Sequence, residues 1–79
     1  MDEKELVEYI ETVFVYRKPF GSQSQRYQDL RNKAKELAEL IGKLCPPSTE
    51  RGTAFNKLRE TIMWANSSIA CNEKEEVSS

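Results

Sequence analysis

The chain has 79 residues, enough for one domain at most, and two or three helices of that length cannot enclose a deep core. Charged residues make up 32% of it, yet 12 Lys and Arg against 13 Asp and Glu leave a formal net charge of −1, which argues against a general nucleic-acid binder. There is no His, so a His-based nucleophile pair cannot be assembled, and two Cys far apart in sequence give no ligand cluster, so a metal site is not expected.

Residues 3–14 are predicted to form a short amphipathic helix. Its start is acidic, which suits the positive end of a helix dipole. Leu6, Ile10 and Val13 share one face, with Tyr9 beside it. Thr12 to Tyr16 then turns β-branched and aromatic, and helix propensity falls. Pro19 pushes Lys18 extended. The run Tyr16-Arg17-Lys18-Pro19-Phe20-Gly21 reads as an ordered connection. Its aromatics and cations suit stacking on, and neutralising, an anionic partner.

A second helix is predicted over residues 23–44, with Ser22 or Ser24 as its cap. Its seam is Tyr27, Leu30, Ala34, Leu37, Ile41 and Leu44, at steps of three and four. Asp29–Lys33, Lys35–Glu39 and Glu39–Lys43 are spaced for small surface pairs. Gly42 weakens the last turn, and Cys45-Pro46-Pro47 ends the helix.

The third helix, over residues 48–70, has Ser48 as N-cap and a seam of Phe55, Leu58, Ile62, Ala65 and Ile69. The short break before Ser48 implies that the second and third helices pack antiparallel as an αα-hairpin. Met63 and Trp64 fall off the seam. A wet-side Trp implies a second contact face, with another copy of the chain or a ligand. The expected fold is therefore all-α: a short N-terminal helix, then a long antiparallel αα-hairpin, assembling into a homo-oligomer. One helical-hairpin domain is expected over residues 1–72, followed by a frayed polar tail over 73–79.

In such a hairpin Cys45 and Cys71 stand ~35–40 Å apart at ~1.5 Å rise per residue, beyond disulfide reach, and both are expected as free thiols. No apolar run is long enough to span a membrane, and the start MDEKE is too acidic for a signal peptide, so a cytoplasmic location is expected.

No catalytic constellation emerges, and no glycine-rich phosphate loop. An enzyme is not expected, nor a cofactor or metal. The informative cations are Arg17, Lys18, Arg26 and Arg51. Arg51 falls in the first turn of the third helix, where a cation is unfavourable unless it meets an anion. Thr53 and Asn56 follow closely. Read alone, Arg51 extends into water, Thr53 and Asn56 are ordinary helix surface, Tyr16 packs, and Trp64 is an oligomer contact.

Several of these residues form a recognisable set. Ser48-x-Glu50-Arg51-x-x-Ala54, Leu58, and Met63-Trp64-Ala65-Asn66-x-x-Ile69-Ala70 resemble the hairpin domain of phage anti-defence proteins. Phe14-x-Tyr16-Arg17-x-Pro19, Lys33-Ala34-Lys35-Glu36-Leu37-Ala38 and Cys45-Pro46 resemble it as well. That family comprises the anti-CBASS cyclic-oligonucleotide sponges and the Thoeris anti-defence sponges. The similarity spans about residues 14–72; Arg17 stands where relatives carry His, and Gly52 where a Ser is common.

The resemblance implies a homo-oligomer, typically a hexamer, in the cytoplasm of the infected bacterial host. It would bind cyclic nucleotide second messengers without cleaving them and so starve immune effectors of their signal. Relatives hold cyclic dinucleotides between protomers, and some hold cyclic trinucleotides in separate pockets. Thoeris-directed relatives take cyclic ADP-ribose derivatives. On that basis Tyr16, Lys18 and Arg26 are expected at one pocket and Arg51, Thr53 and Asn56 at another, with Arg17 also among the ligand-binding residues. Met63 and Trp64 are expected at the oligomer interface, and Tyr9 is an alternative to Tyr16. The rival reading is a helical adaptor that inhibits a host protein through its Trp64 face. A weaker third is a helix-turn-helix DNA binder, against which the acidic balance speaks.

Overall fold

The computed structural model describes residues 1–75. Three helices form, α1 Glu3–Val13, α2 Gln23–Leu44 and α3 Thr49–Asn72, and the described residues contain no strand. Only α2 and α3 pack extensively against each other. The Cα trace measures 52 × 33 × 14 Å, so the molecule is about one helix layer thick.

Each helix begins and ends for a local reason. The Asp2 carboxylate accepts from the Glu5 amide at 2.7 Å and caps α1. At the other end the Phe14 amide still donates to the Ile10 carbonyl, so the helix closes one residue before the expected 14. Gly21 adopts φ 55°, a left-handed turn that favours glycine, and this turn feeds α2. Ser22 occupies the cap position, but its hydroxyl does not cap; it accepts from Arg26 Nε at 3.0 Å. Gln23 instead turns back, its Oε1 accepting from the Phe20 amide at 3.2 Å. Ser48 caps α3 as expected, accepting from the Arg51 amide at 3.1 Å and donating to the Pro46 carbonyl at 3.0 Å. The helix then runs two residues past the expected 70, because Cys71 and Asn72 carry no breaker and Asn72 Nδ2 donates to the Ser68 carbonyl.

The α3 seam is as read: Phe55, Leu58, Ile62, Ala65 and Ile69 are all half-buried. The α2 seam differs at two positions. Leu37 and Leu44 are exposed, and Ala38 lies half-buried with Tyr27, Leu30, Ala34 and Ile41. At ~100° per residue, Leu37 and Leu44 drift ~60–80° from the stripe's centre, whereas Ala38 stays within ~40° of it. The expected i,i+4 pairs are also absent among the described residues. Lys33 meets Glu36 and Lys57 meets Glu60 at 3.3 Å, both at i,i+3, while Asp29 accepts from Gln25.

Both cysteines are free. The Cys71 thiol stands 3.7 Å from the Thr12 carbonyl, which sets the end of α1 against the end of α3. The tail expected to fray begins at Glu73, yet Glu73 is held against α2; residues 76–79 of that tail lie outside the described residues. No helix among the described residues is long and apolar enough to cross a membrane.

Gly42 faces α3, where an added Cβ would meet Phe55 Cζ at 3.9 Å, an ordinary contact. Gly42→Ala should therefore stabilise the chain by about 0.5–1 kcal/mol through lower chain entropy in the unfolded state. Denaturant unfolding at matched protein concentration would show this; a loss would mean that α3 approaches α2 more closely than the Cα trace requires.

Candidate functional site

At the open end of the hairpin, three polar side chains converge from opposite ends of the sequence. Gln23 is 3% exposed, and among the described residues no other is buried to that degree. Its Nε2 donates to Glu73 Oε1 at 3.1 Å. The Arg26 guanidinium meets the same carboxylate in a two-pronged fork, Nη1 to Oε2 at 2.6 Å and Nη2 to Oε1 at 2.5 Å. With Nε on the Ser22 hydroxyl, all three nitrogens of Arg26 are engaged.

The pair shifts both ionisations. Arg26 and then Gln23, each through a hydrogen bond, pull the Glu73 carboxyl down to about 2. The same bond to Glu73 raises Arg26 above its ordinary value.

Two cavities adjoin this clamp. One, of 570 Å³, is lined by Phe20, Gly21, Ser22, Arg26 and residues 73–75. The other, of 290 Å³, is lined by Arg17, Lys18, Phe20, Gln23, Tyr27, Ala70 and the same residues 73–75. The fold thus gathers Arg17, Lys18 and Arg26 at one end of the molecule, around Phe20 and Tyr27. Arg17 also donates to the Glu11 carbonyl at 3.2 Å, in the last turn of α1, where a cation suits the negative end of the dipole. Tyr16 is 86% exposed and lines neither cavity. Tyr9 packs edge-on against Phe14.

The second expected set behaves differently. Arg51 does not extend into water. It is half-buried, and its Nη1 donates to the Cys45 carbonyl at 3.2 Å. Cys45 is the C-cap of α2, so the cation that is ill-placed on its own helix serves the negative end of the neighbouring one. The Thr53 hydroxyl donates back to the Thr49 carbonyl at 3.0 Å. Asn56 is exposed beside Met63 in a shallow 380 Å³ groove with Lys57, Arg59 and Glu60. Arg51 and Thr53 stand ~160° apart around α3, so a single chain does not bring this set together.

Met63 and Trp64 are exposed, Trp64 by 67%. Nearby, Asn66 carries a buried side-chain oxygen with no hydrogen-bond partner among the described residues.

Gln23 and Glu73 were missed by sequence reasoning. Gln23 is one polar residue in a polar helix start, and Glu73 follows the last apolar position of α3. A pairing across 50 residues leaves no trace in local periodicity. Because the folded Glu73 carboxyl sits below its ordinary value of 4.5, its contribution to stability is complete above about that pH. It is lost as pH falls through about 2. Thermal melts of the wild type and Glu73→Gln across that window should therefore converge toward the acid end. A gap that stays constant would show that the carboxylate charge is not what holds the clamp.

A comparison with protein-family models matches residues 5–70 to the family described as "Acb2/Tad1, hairpin domain". Comparisons with curated proteins and with solved structures returned no match. The matched segment takes in most of α1, all of α2 and nearly all of α3. It is a family of ligand-binding sponges rather than enzymes. The all-helical hairpin and the match over most of its length place the chain in one group: it belongs to the Acb2/Tad1 hairpin family of anti-CBASS and anti-Thoeris sponges.

Proposed function

We propose that this chain binds cyclic nucleotide second messengers in the cytoplasm of an infected bacterial host and sequesters them uncleaved, blocking CBASS-type immunity. The family match over residues 5–70 carries this reading. The open-end cluster supports it: Arg17, Lys18, Arg26 and Lys74 outnumber Glu73 and Glu75 around the two cavities, in a chain of net charge −1. Two cations and a guanidinium fork suit phosphodiesters, and Phe20 and Tyr27 offer aromatic surface for bases.

The unit is the hairpin domain over residues 1–72, acting as a homo-oligomer, a hexamer as in the family. Cyclic dinucleotides go to the Arg17, Lys18 and Arg26 site, and Tyr16, which lines neither cavity of a single chain, stacks on them where a neighbouring copy completes the pocket. Cyclic trinucleotides go to Arg51, Thr53 and Asn56, which need a neighbouring copy to complete a pocket. Met63 and Trp64 lie in the protomer interface, where a large exposed aromatic is favoured.

At the first site the ligand meets an occupied fork. A phosphate takes Arg26 only by displacing the Glu73 carboxylate. Calorimetric titration with a panel of cyclic di- and trinucleotides and cyclic ADP-ribose isomers tests the proposal, with the released ligand run on chromatography afterwards. Tight binding with intact ligand is expected. Lys18→Ala or Arg26→Ala should each cost about 1.5–3 kcal/mol, roughly 10- to 100-fold in affinity, the range for a hydrogen bond to a charged group. Glu73→Gln should tighten binding. Altered ligand would reveal catalysis, and no binding across the panel would favour the helical adaptor that acts on a host protein through its Trp64 face.

A further inference from the structure

Two surfaces of this chain are left uncovered, and they are complementary. The first is α1. Leu6, Tyr9, Ile10 and Val13 lie on one side of it, each between 41% and 47% exposed. Glu3 and Glu5 border that stripe, at ~60° and ~100° from Leu6. With Asp2, Glu8 and Glu11, the segment carries five acids against the single cation Lys4. Glu3, Glu5, Glu8 and Glu11 make no ion pair among the described residues.

The second surface is a 510 Å³ groove midway along the hairpin. Ala34, Ala38, Phe55, Leu58 and Ile62 form its floor. Its rim is Arg31, Lys35 and Arg59, with no carboxylate among the lining residues. None of the three cations makes an ion pair among the described residues.

The lengths agree. Leu6 to Val13 spans ~10 Å of helix, and so do Arg31 to Ala38 and Phe55 to Ile62. The chain's own α1 does not occupy the groove, since the stripe is exposed. Its Thr12 carbonyl rests against Cys71, ~20 Å along α3 from Leu58 at ~1.5 Å per residue. Among the described residues no apolar side chain is fully buried, so a further apolar contact would supply what the lone chain lacks.

We propose that α1 of one copy docks its apolar stripe into the α2–α3 groove of another, with the bordering Glu3 and Glu5 carboxylates against Arg31, Lys35 and Arg59. The proposal rests on the homo-oligomer reading above and adds a contact separate from Met63 and Trp64. It joins unlike surfaces, so copies associate head to tail and close a ring or exchange arms in a pair.

Sedimentation of the full chain tests it, with helicity by circular dichroism as the check on folding. Lys35→Glu with Arg59→Glu reverses the rim at two exposed positions. Glu3→Lys with Glu5→Lys reverses the stripe's border. Each pair should weaken assembly by at least about tenfold, because like charges are then brought face to face. All four changes together should restore it. Ile10→Asp, which leaves the hairpin seam untouched, should weaken assembly as well.

A wild type that sediments as a single chain overturns the homo-oligomer reading and this contact with it. Assembly that survives both reversals and Ile10→Asp overturns the contact alone and leaves Met63 and Trp64 as the interface. Rim variants of unchanged mass that lose cyclic-nucleotide binding also overturn it, and make the groove a ligand site.

Discussion

Two helices laid side by side share a seam and cannot make an interior. This constraint governs the whole molecule. The half-buried residues of α2 and α3 remove part of their apolar surface from water, and among the described residues no apolar side chain is sealed off completely. The seam alone would let the helices slide. Polar ties at its two ends oppose that. At the turn, Ser48 caps α3 while Arg51 reaches back to the Cys45 carbonyl of α2. At the open end, Gln23 and Arg26 grip Glu73. The apolar stripe brings the helices together, and directional bonds at the ends set their register.

The same constraint separates what was legible in the sequence from what was not. Steps of three and four, with Pro46 and Pro47 between two long runs, were enough for the antiparallel hairpin. Residue type then misled at Leu37. A leucine carries a stronger apolar signal than the alanine beside it, but rotation along α2 places Ala38 on the stripe and Leu37 at its margin. Arg51 posed a different problem. Its helix offered no reason for a cation, because the reason lies on the neighbouring helix. Glu73 had no local signature at all. Short-range pattern reports what a helix presents, and which distant group answers depends on how the helices are laid.

The candidate site shows the same division. Arg17, Lys18 and Arg26 could be picked out as cations near aromatics, and the fold does gather them around Phe20 and Tyr27. Their gathering point, the Gln23–Glu73 contact, could not. The family match over the hairpin, rather than any motif at this site, is what carries the functional reading. A weakly acidic chain can still hold an anion where its cations cluster, and net charge says nothing about that local arrangement.

The spacing of contacts along the chain carries a last consequence. At the turn, Arg51 meets a carbonyl only six residues away, whereas at the open end Gln23 meets a side chain 50 residues away. Joining ends across a longer loop costs more chain entropy. The hairpin therefore behaves as a zipper that closes first at Pro46 and Pro47, with the Gln23–Glu73 and Arg26–Glu73 bonds the last ties to form. The basic cluster thus sits at the end that closes last, where long-range side-chain bonds rather than chain proximity hold α2 and α3 together.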